Sequence, residues 1–290
     1  MLGFGGMRTF NIVGWVVLAT CATLTAQEDH VTFLVMGKTT NHRQSADGAL
    51  SLLNYHFFAE VFVKEGGAVN DASLGFPDGQ SQEFEDLGFV QEVHGGRYLE
   101  ESELDRLYPN GDYTFRLETP SGPLRRVLSV RGTGGGQSRI PNAVRVTLRQ
   151  GGRDVPPKSV DPDEDLEVTW SAFVTGEADP KGIVDDLLFA VVGDCHGEKI
   201  VHSGRPFEGT PYLSHRTRSY VVPAAELAPG EPHQLFVEHA KVDTSMEAGI
   251  VGLVTYAATT FLDFETVGVA SGEPCPSSMP KMDQGQTDRN

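Results

Sequence analysis

Signatures of common catalytic machinery are missing from this sequence: it has no Gly-x-Ser-x-Gly elbow, no His-Glu-x-x-His pair and no phosphate-cradling loop. That removes the best-marked serine-hydrolase, zinc-protease and nucleotide-binding readings. Carboxylates are plentiful enough that counting alone does not dismiss a glycosidase pair. Basic residues are scarce, 23 Lys and Arg against 40 Asp and Glu, for a net charge of −17. So acidic a surface repels phosphate backbones and anionic headgroups, which disfavours nucleic-acid binding. No Asn-x-Ser/Thr site occurs. After residue 26 no apolar run approaches the roughly 20 residues that span a bilayer. Helical periodicity is nearly absent; only Glu100 to Leu107 suits one or two turns.

What is present begins with a leader. Arg8 is the only charge in the first 26 residues; an apolar stretch from Ile12 to Leu24 follows, closed by Ala19, Ala22 and Ala26. A positive start, a short apolar run and small residues predict a signal peptide over residues 1–26, cleaved after Ala26, and an exported, extracellular or periplasmic protein. Leu18-Ala19-Thr20-Cys21 resembles a bacterial lipobox, an alternative in which Cys21 carries a lipid anchor. Without the leader, 22 basic residues face 40 acidic ones, and of three cysteines only Cys195 and Cys275 remain. An even pair in an oxidising compartment is a candidate disulfide, with two free thiols as the alternative.

The rest of the chain alternates. Leu53, Tyr55, Phe57, Ala59, Val61 and Val63 share one strand face, with Asn54, His56, Glu60 and Lys64 on the other. Val144, Val146 and Leu148, and then Leu166, Val168, Trp170 and Ala172, follow the same period of two. Short alternating runs between Gly- and Pro-rich borders predict an all-β fold of antiparallel strands. Gly132 to Ser138 holds four glycines in its first five positions and reads as a flexible tether. It separates residues 27–131 from 139–270, each near the size of one β-sandwich, and leaves a polar tail at 271–290.

An internal echo supports two related modules. Leu107-Tyr108-Pro109-Asn110-Gly111-Asp112-Tyr113 has its counterpart in Leu227-Ala228-Pro229-Gly230-Glu231-Pro232-His233, each followed by an alternating strand. The pattern resembles the E–F corner of fibronectin type III domains. Asp165 to Trp170 is similar to an early strand of that family, whose Trp lies in the core; Leu187 to Val192 and Thr255 to Phe264 continue the match over most of 140–267. The resemblance implies a fibronectin III or immunoglobulin-like sandwich in the second half and a sandwich-like first half, hence two tandem sandwiches. It departs where His233 replaces the corner Tyr, so that another donor must supply the corner hydrogen bond. The whole chain also resembles secreted bacterial proteins of no assigned activity.

Candidate sites are few. Asp161, Asp163 and Asp165, with Glu164, gather carboxylates ahead of a strand, a calcium candidate weighed against an ordinary solvated loop. Glu83, Glu85 and Asp86 form a weaker second cluster. Asp194-Cys195-His196, with His202 and His215, offers zinc or thiol chemistry only if a turn converges them. No other cofactor is indicated. Phe76 and Tyr212 sit in turn-like surroundings that suit sugar stacking. The lead expectation is a non-catalytic secreted or cell-surface protein for protein contact, adhesion or spacing, with binding on the loops Lys64–Gly96 and Gly193–His215. The alternatives are a carbohydrate-binding accessory protein, marked by an aromatic row on one sheet face, and an extracellular hydrolase, marked by a pocket of carboxylates or convergent histidines.

Overall fold

A computed structural model describes residues 30–132 and 139–276. The expected leader over residues 1–26 with Cys21, the glycine stretch 133–138 and the tail from 277 lie outside the described residues. The first half contains β1 (Val31–Gln44), β2 (Leu50–Val63), β3 (Asp71–Gly75), β4 (Ser81–Glu83), β5 (Glu85–Asp86), β6 (Val90–Tyr98), helix α1 (Glu101–Leu107), β7 (Gly111–Thr119) and β8 (Gly122–Val130). The second contains β9 (Val146–Gln150), β10 (Arg153–Asp154), β11 (Leu166–Trp170), β12 (Leu187–Gly193), β13 (Lys199–His202), β14 (Leu213–Ser214), β15 (Ser219–Val222), β16 (Pro232–Glu247) and β17 (Ile250–Glu265). The fold is β-rich, as the period-two runs require.

The two halves do not each close a sandwich of their own. Nine strands form one sheet, in the order β13-β12-β16-β17-β1-β2-β6-β5 with β14 beside β12, and this sheet runs through both halves. Its seam is a parallel pairing of β1 with β17, in register from Phe33–Val251 to Arg43–Phe261. Two four-stranded sheets, β4-β3-β7-β8 and β10-β9-β11-β15, each belong to one half. The tandem arrangement expected from the echo is therefore corrected to two small sheets on one shared large sheet. The physical reason is that β17 and the first half of β1, Val31 to Gly37, are apolar on both faces, and such strands are stable only in the middle of a covered sheet.

Two cores lie on one face of the large sheet, and a third buried cluster, with Phe33, Val35, Phe62, Leu187, Val251 and Leu253, lies on the other. Leu34, Met36, Phe57, Ala59 and Val61 pack with Leu74, Tyr113, Phe115 and Leu128 of the first small sheet. Leu188, Val192, Leu235 and Val237 pack with Val146, Leu148, Val168 and Trp170 of the second. Val254 and Tyr256 serve the first core, and Leu262 and Phe264 the second; even spacing along β17 puts all four on one side. Polar links cross between the halves. Gln44 at the end of β1 donates through Nε2 to the Val146 carbonyl (2.7 Å) and accepts from the Val146 amide (2.8 Å), and Arg145 donates to the Gly48 carbonyl.

The corner motifs are resolved differently in the two halves. In the first, the Tyr113 hydroxyl donates to the Pro109 carbonyl at 2.9 Å, bonding back four residues as a tyrosine corner does. In the second, Thr266 supplies the missing donor, its hydroxyl reaching the Ala228 carbonyl at 2.5 Å. His233 takes the ring position and stacks on Phe264 with centroids 5.0 Å apart. Trp170 lies in the core with its indole N–H donating to the Thr217 carbonyl at 3.2 Å.

Cys195 and Cys275 are bridged, with Cα atoms 5.5 Å apart. The bond ties the segment after β17 to the turn between β12 and β13. Replacing both cysteines by serine is expected to lower stability by about 2–4 kcal/mol, measured by urea denaturation of the oxidised and the substituted protein. At the seam, a Cβ on Gly37 would lie 2.1 Å from Thr255 Oγ1 and 2.5 Å from the Thr255 carbonyl oxygen. Gly37→Val should therefore force β1 from β17 and cost more than the roughly 1–3 kcal/mol of ordinary overpacking, read as a lower denaturation midpoint.

Candidate functional site

Both small sheets cover the same face of the nine-stranded sheet, so its other face lies outside both cores. Alternation decides what it carries. On β1, residues opposite Leu34 and Met36 are Phe33, Val35, Thr39 and Asn41; on β2, opposite Phe57 and Ala59, they are His56, Phe58, Glu60 and Phe62. Phe189 of β12, Phe236 and Glu238 of β16, and Thr259 and Phe261 of β17 continue the surface. These residues line a half-open cavity of about 210 Å³. That is below the roughly 300–1,000 Å³ typical of drug-sized ligands, so it suits one ring-sized group rather than a whole nucleotide cofactor.

Register arranges the polar groups in rows across the strands. One row runs Phe189, Glu238, Thr259, Asn41 and Asn54 over five strands. It is knitted by hydrogen bonds, from Thr259 Oγ1 to Glu238 Oε2 (2.7 Å) and from Asn41 Nδ2 to Asn54 Oδ1 (2.8 Å). Burial pushes the Glu238 carboxyl up, with Thr259 pulling the other way. The next row places Thr39 beside His56 and Arg97. His56 Nδ1–H donates to the Gly96 carbonyl at 2.8 Å, which leaves Nε2 as an acceptor. Its ring lies 4.3 Å from that of His94. Desolvation lowers the His56 pKa to about 3, so the ring is neutral.

The segment between β13 and β14, residues 203–212, crosses this face. Arg205 lies over the Phe62 ring at 5.8 Å, and the Phe207 ring is 5.4 Å from Phe33, which itself stacks on Phe62 at 4.2 Å. Of the segment Gly193–His215 expected to carry binding, His202 and Arg205 line the cavity and Tyr212 packs on the same face. The other named candidates are placed elsewhere. Phe76 packs edge-on against Tyr108 and Tyr113 at 5.7 Å in the first core, so it is no stacking platform. Asp161 Oδ1 accepts from the Asp163 amide and Asp165 Oδ1 from the Ala224 amide, and the three carboxylates do not bring ligand atoms within 4.8 Å of one another. Glu85 stands opposite Glu92 at the edge of the large sheet. Cys195 is spent in the disulfide and cannot serve with His196, His202 and His215.

The main lining residues were not singled out by motif, because each is a lone residue on a separate strand. One signal existed: Phe58 and Phe62 interrupt the polar face of β2, which marks a strand with apolar demands on both sides.

The fold and this surface define a β-rich protein with a ring-sized groove on a sheet face. Among the described residues no helix is long and apolar enough to cross a membrane. No protein-family model and no curated protein sequence matches the chain. Among solved structures it is distantly similar to a bacterial ice-binding adhesin, with 10% identity and a TM-score of 0.23, over 81% of this chain and 66% of that one. The FN1–FN3 domains of chicken CNTN1 give 11% identity and 0.17, over 70% and 60%. The native α-2-macroglobulin of E. coli gives 10% and 0.21, over 81% of this chain and 14% of that one. Superpositions this loose assign neither partner nor activity.

Buried neutral histidines set an acid limit. His239, stacked on Phe173 at 4.4 Å, is lowered to about 3 like His56, chiefly by desolvation. The unfolded chain takes up these protons near pH 6.5 while the folded chain does not, so this share of stability is complete above pH 6.5 and is lost as pH falls toward 3. Between pH 6.5 and 5 the unfolding free energy should fall by about 1 kcal/mol per unit for each ring. Denaturation midpoints across that window, with a flatter slope for His239→Phe, check it.

Proposed function

We propose that this is an exported recognition protein whose open sheet face binds an extracellular glycan, with one sugar residue entering the groove. The observation that carries the reading is a set of phenylalanines on one sheet face: Phe189 in the row of Glu238, Thr259 and Asn41, Phe236 and Phe261 in the next row, and Phe58 on β2 in the row of Gly37 and Thr255. Aromatic faces take the apolar C–H face of a sugar, and carboxylates and amides take its hydroxyls. The leader and the Cys195–Cys275 bridge support an extracellular setting. The lack of catalytic motifs supports recognition rather than turnover. Contact with a protein through the same face is the broader form of this reading.

A glycan array followed by isothermal titration of the exported protein tests it. Phe189→Ala and Phe58→Ala should each weaken binding about tenfold, equivalent to about 1.4 kcal/mol, measured where both variants remain folded, since each ring also packs on a buried cluster and its loss lowers the unfolding midpoint. Failure to bind any glycan, together with capture of a protein ligand blocked by the same substitutions, would replace the glycan with a protein partner. A hydrolase reading draws on one observation, the raised carboxyl of Glu238 in a cavity that also holds Glu60 and Glu92. Turnover of a glycan or ester that disappears in Glu238→Gln would establish it.

A further inference from the structure

Glu238 has an unusual setting for an acid on an acidic protein. On its own face its cross-strand neighbours are Phe189 on one side and Thr259 on the other, with Phe236 two residues back on β16. Phe261 stands next to Phe236, their centroids 5.6 Å apart. Three phenyl rings and one hydroxyl therefore frame the carboxylate. Thr259 bonds one oxygen, Oε2, at 2.7 Å, and among the described residues no ion pair involves Glu238. A carboxylate flanked by rings, half-screened from water and left without a counter-charge is costly, and an arriving cation relieves that cost.

Arg43 lies over the Phe261 ring at 5.9 Å, with its guanidinium paired to Asp263, and the cations that line the groove stand in other rows. Arg205 lies over Phe62, in the row of Phe33 and Val251, eight residues along β17 from Thr259 and about 26 Å distant at strand spacing. Arg97 is on β6, four strands from β16 and so about 19 Å across the sheet. Lys199 is on the outermost strand β13, opposite Gly193 rather than Phe189. One end of the groove is thus anionic and ringed by aromatic faces. Carboxylate plus aromatic frame is the combination that receives an organic ammonium, by charge from one side and by ring quadrupoles from the others.

Resting on the glycan reading, we infer that the groove receives a protonated amine, and hence that its glycan is one bearing free amino groups. The ring-sized cavity takes one amino sugar residue: its ammonium meets Glu238, and its carbon-bound hydrogens meet Phe189, Phe236 and Phe261.

The test titrates the exported, disulfide-bonded protein with three oligosaccharides of equal length: a free hexosamine, its N-acetylated form and an unsubstituted neutral hexose. Choline is a fourth, non-sugar probe. The expected result is at least tenfold tighter binding of the free hexosamine than of the other two oligosaccharides. Glu238→Gln should erase that preference, so that the three oligosaccharides bind alike. The same substitution should leave the unfolding midpoint unchanged or raise it, because a neutral amide ends the burial of an unpaired acid. If Glu238→Gln does not fold, Glu238→Asp, which draws the charge back from the rings, should reduce the preference in its place. Equal binding of all three oligosaccharides, unaffected by either substitution, overturns the amine inference and leaves the glycan reading standing. Binding of choline alone, lost in Glu238→Gln, upholds the amine receptor and sinks the glycan reading. Binding of none of the four overturns both.

Discussion

The parallel contact between β1 and β17 is the constraint on which the molecule depends. It joins a strand near the start of the described chain to one near its end, and each strand has a second, antiparallel partner on its outer side. A strand so enclosed must satisfy two faces at once. One meets the small sheets and becomes core; the other holds a further buried cluster and the floor of the groove. Gly37 opposite Thr255 shows how close the two backbones come, for even a methyl group there has no room. Without this seam there would be two small sandwiches with open edges and no continuous surface on which Glu238, Thr259, Asn41 and His56 could meet.

Much of the architecture was legible in the sequence. Period-two runs placed Phe57, Ala59 and Val61 in the first core and Val146, Leu148, Val168 and Trp170 in the second. The turn chemistry around Pro109 marked the corner that Tyr113 closes, and α1 lies within the one stretch with helical spacing. The seam was not legible. Alternation reports which side of a strand is buried, but it does not say which distant strand lies alongside. The nearly unbroken apolar run from Ile250 to Leu262 did carry a message, since a strand with one wet face has no use for it.

The groove was harder to read for a related reason. A site made from one residue on each of several strands leaves no local spacing in the sequence, unlike a loop motif. Glu238 and His56 looked like ordinary outward residues of alternating strands. Only the register, set by long-range pairing, shows that they share a face with six phenylalanines. Conversely, the acidic run from Asp161 to Asp165 stood out in the sequence, yet it spends carboxylates on neighbouring amides. Local density of one residue type is a poor guide when the chemistry is assembled across a sheet.

The wide sequence separation of the seam also bears on how the protein is made. While the chain emerges, β1 can find β2 within a short hairpin, but its other edge waits for a segment more than 200 residues later. Until then the apolar half of that edge, Val31 to Gly37, stands open, the kind of template that invites pairing between nascent copies. Assembly is accordingly a high-contact-order event that finishes late and slowly. A chain that cannot complete its central sheet before most of it has been synthesised stays loose and open to other partners until its last strands appear.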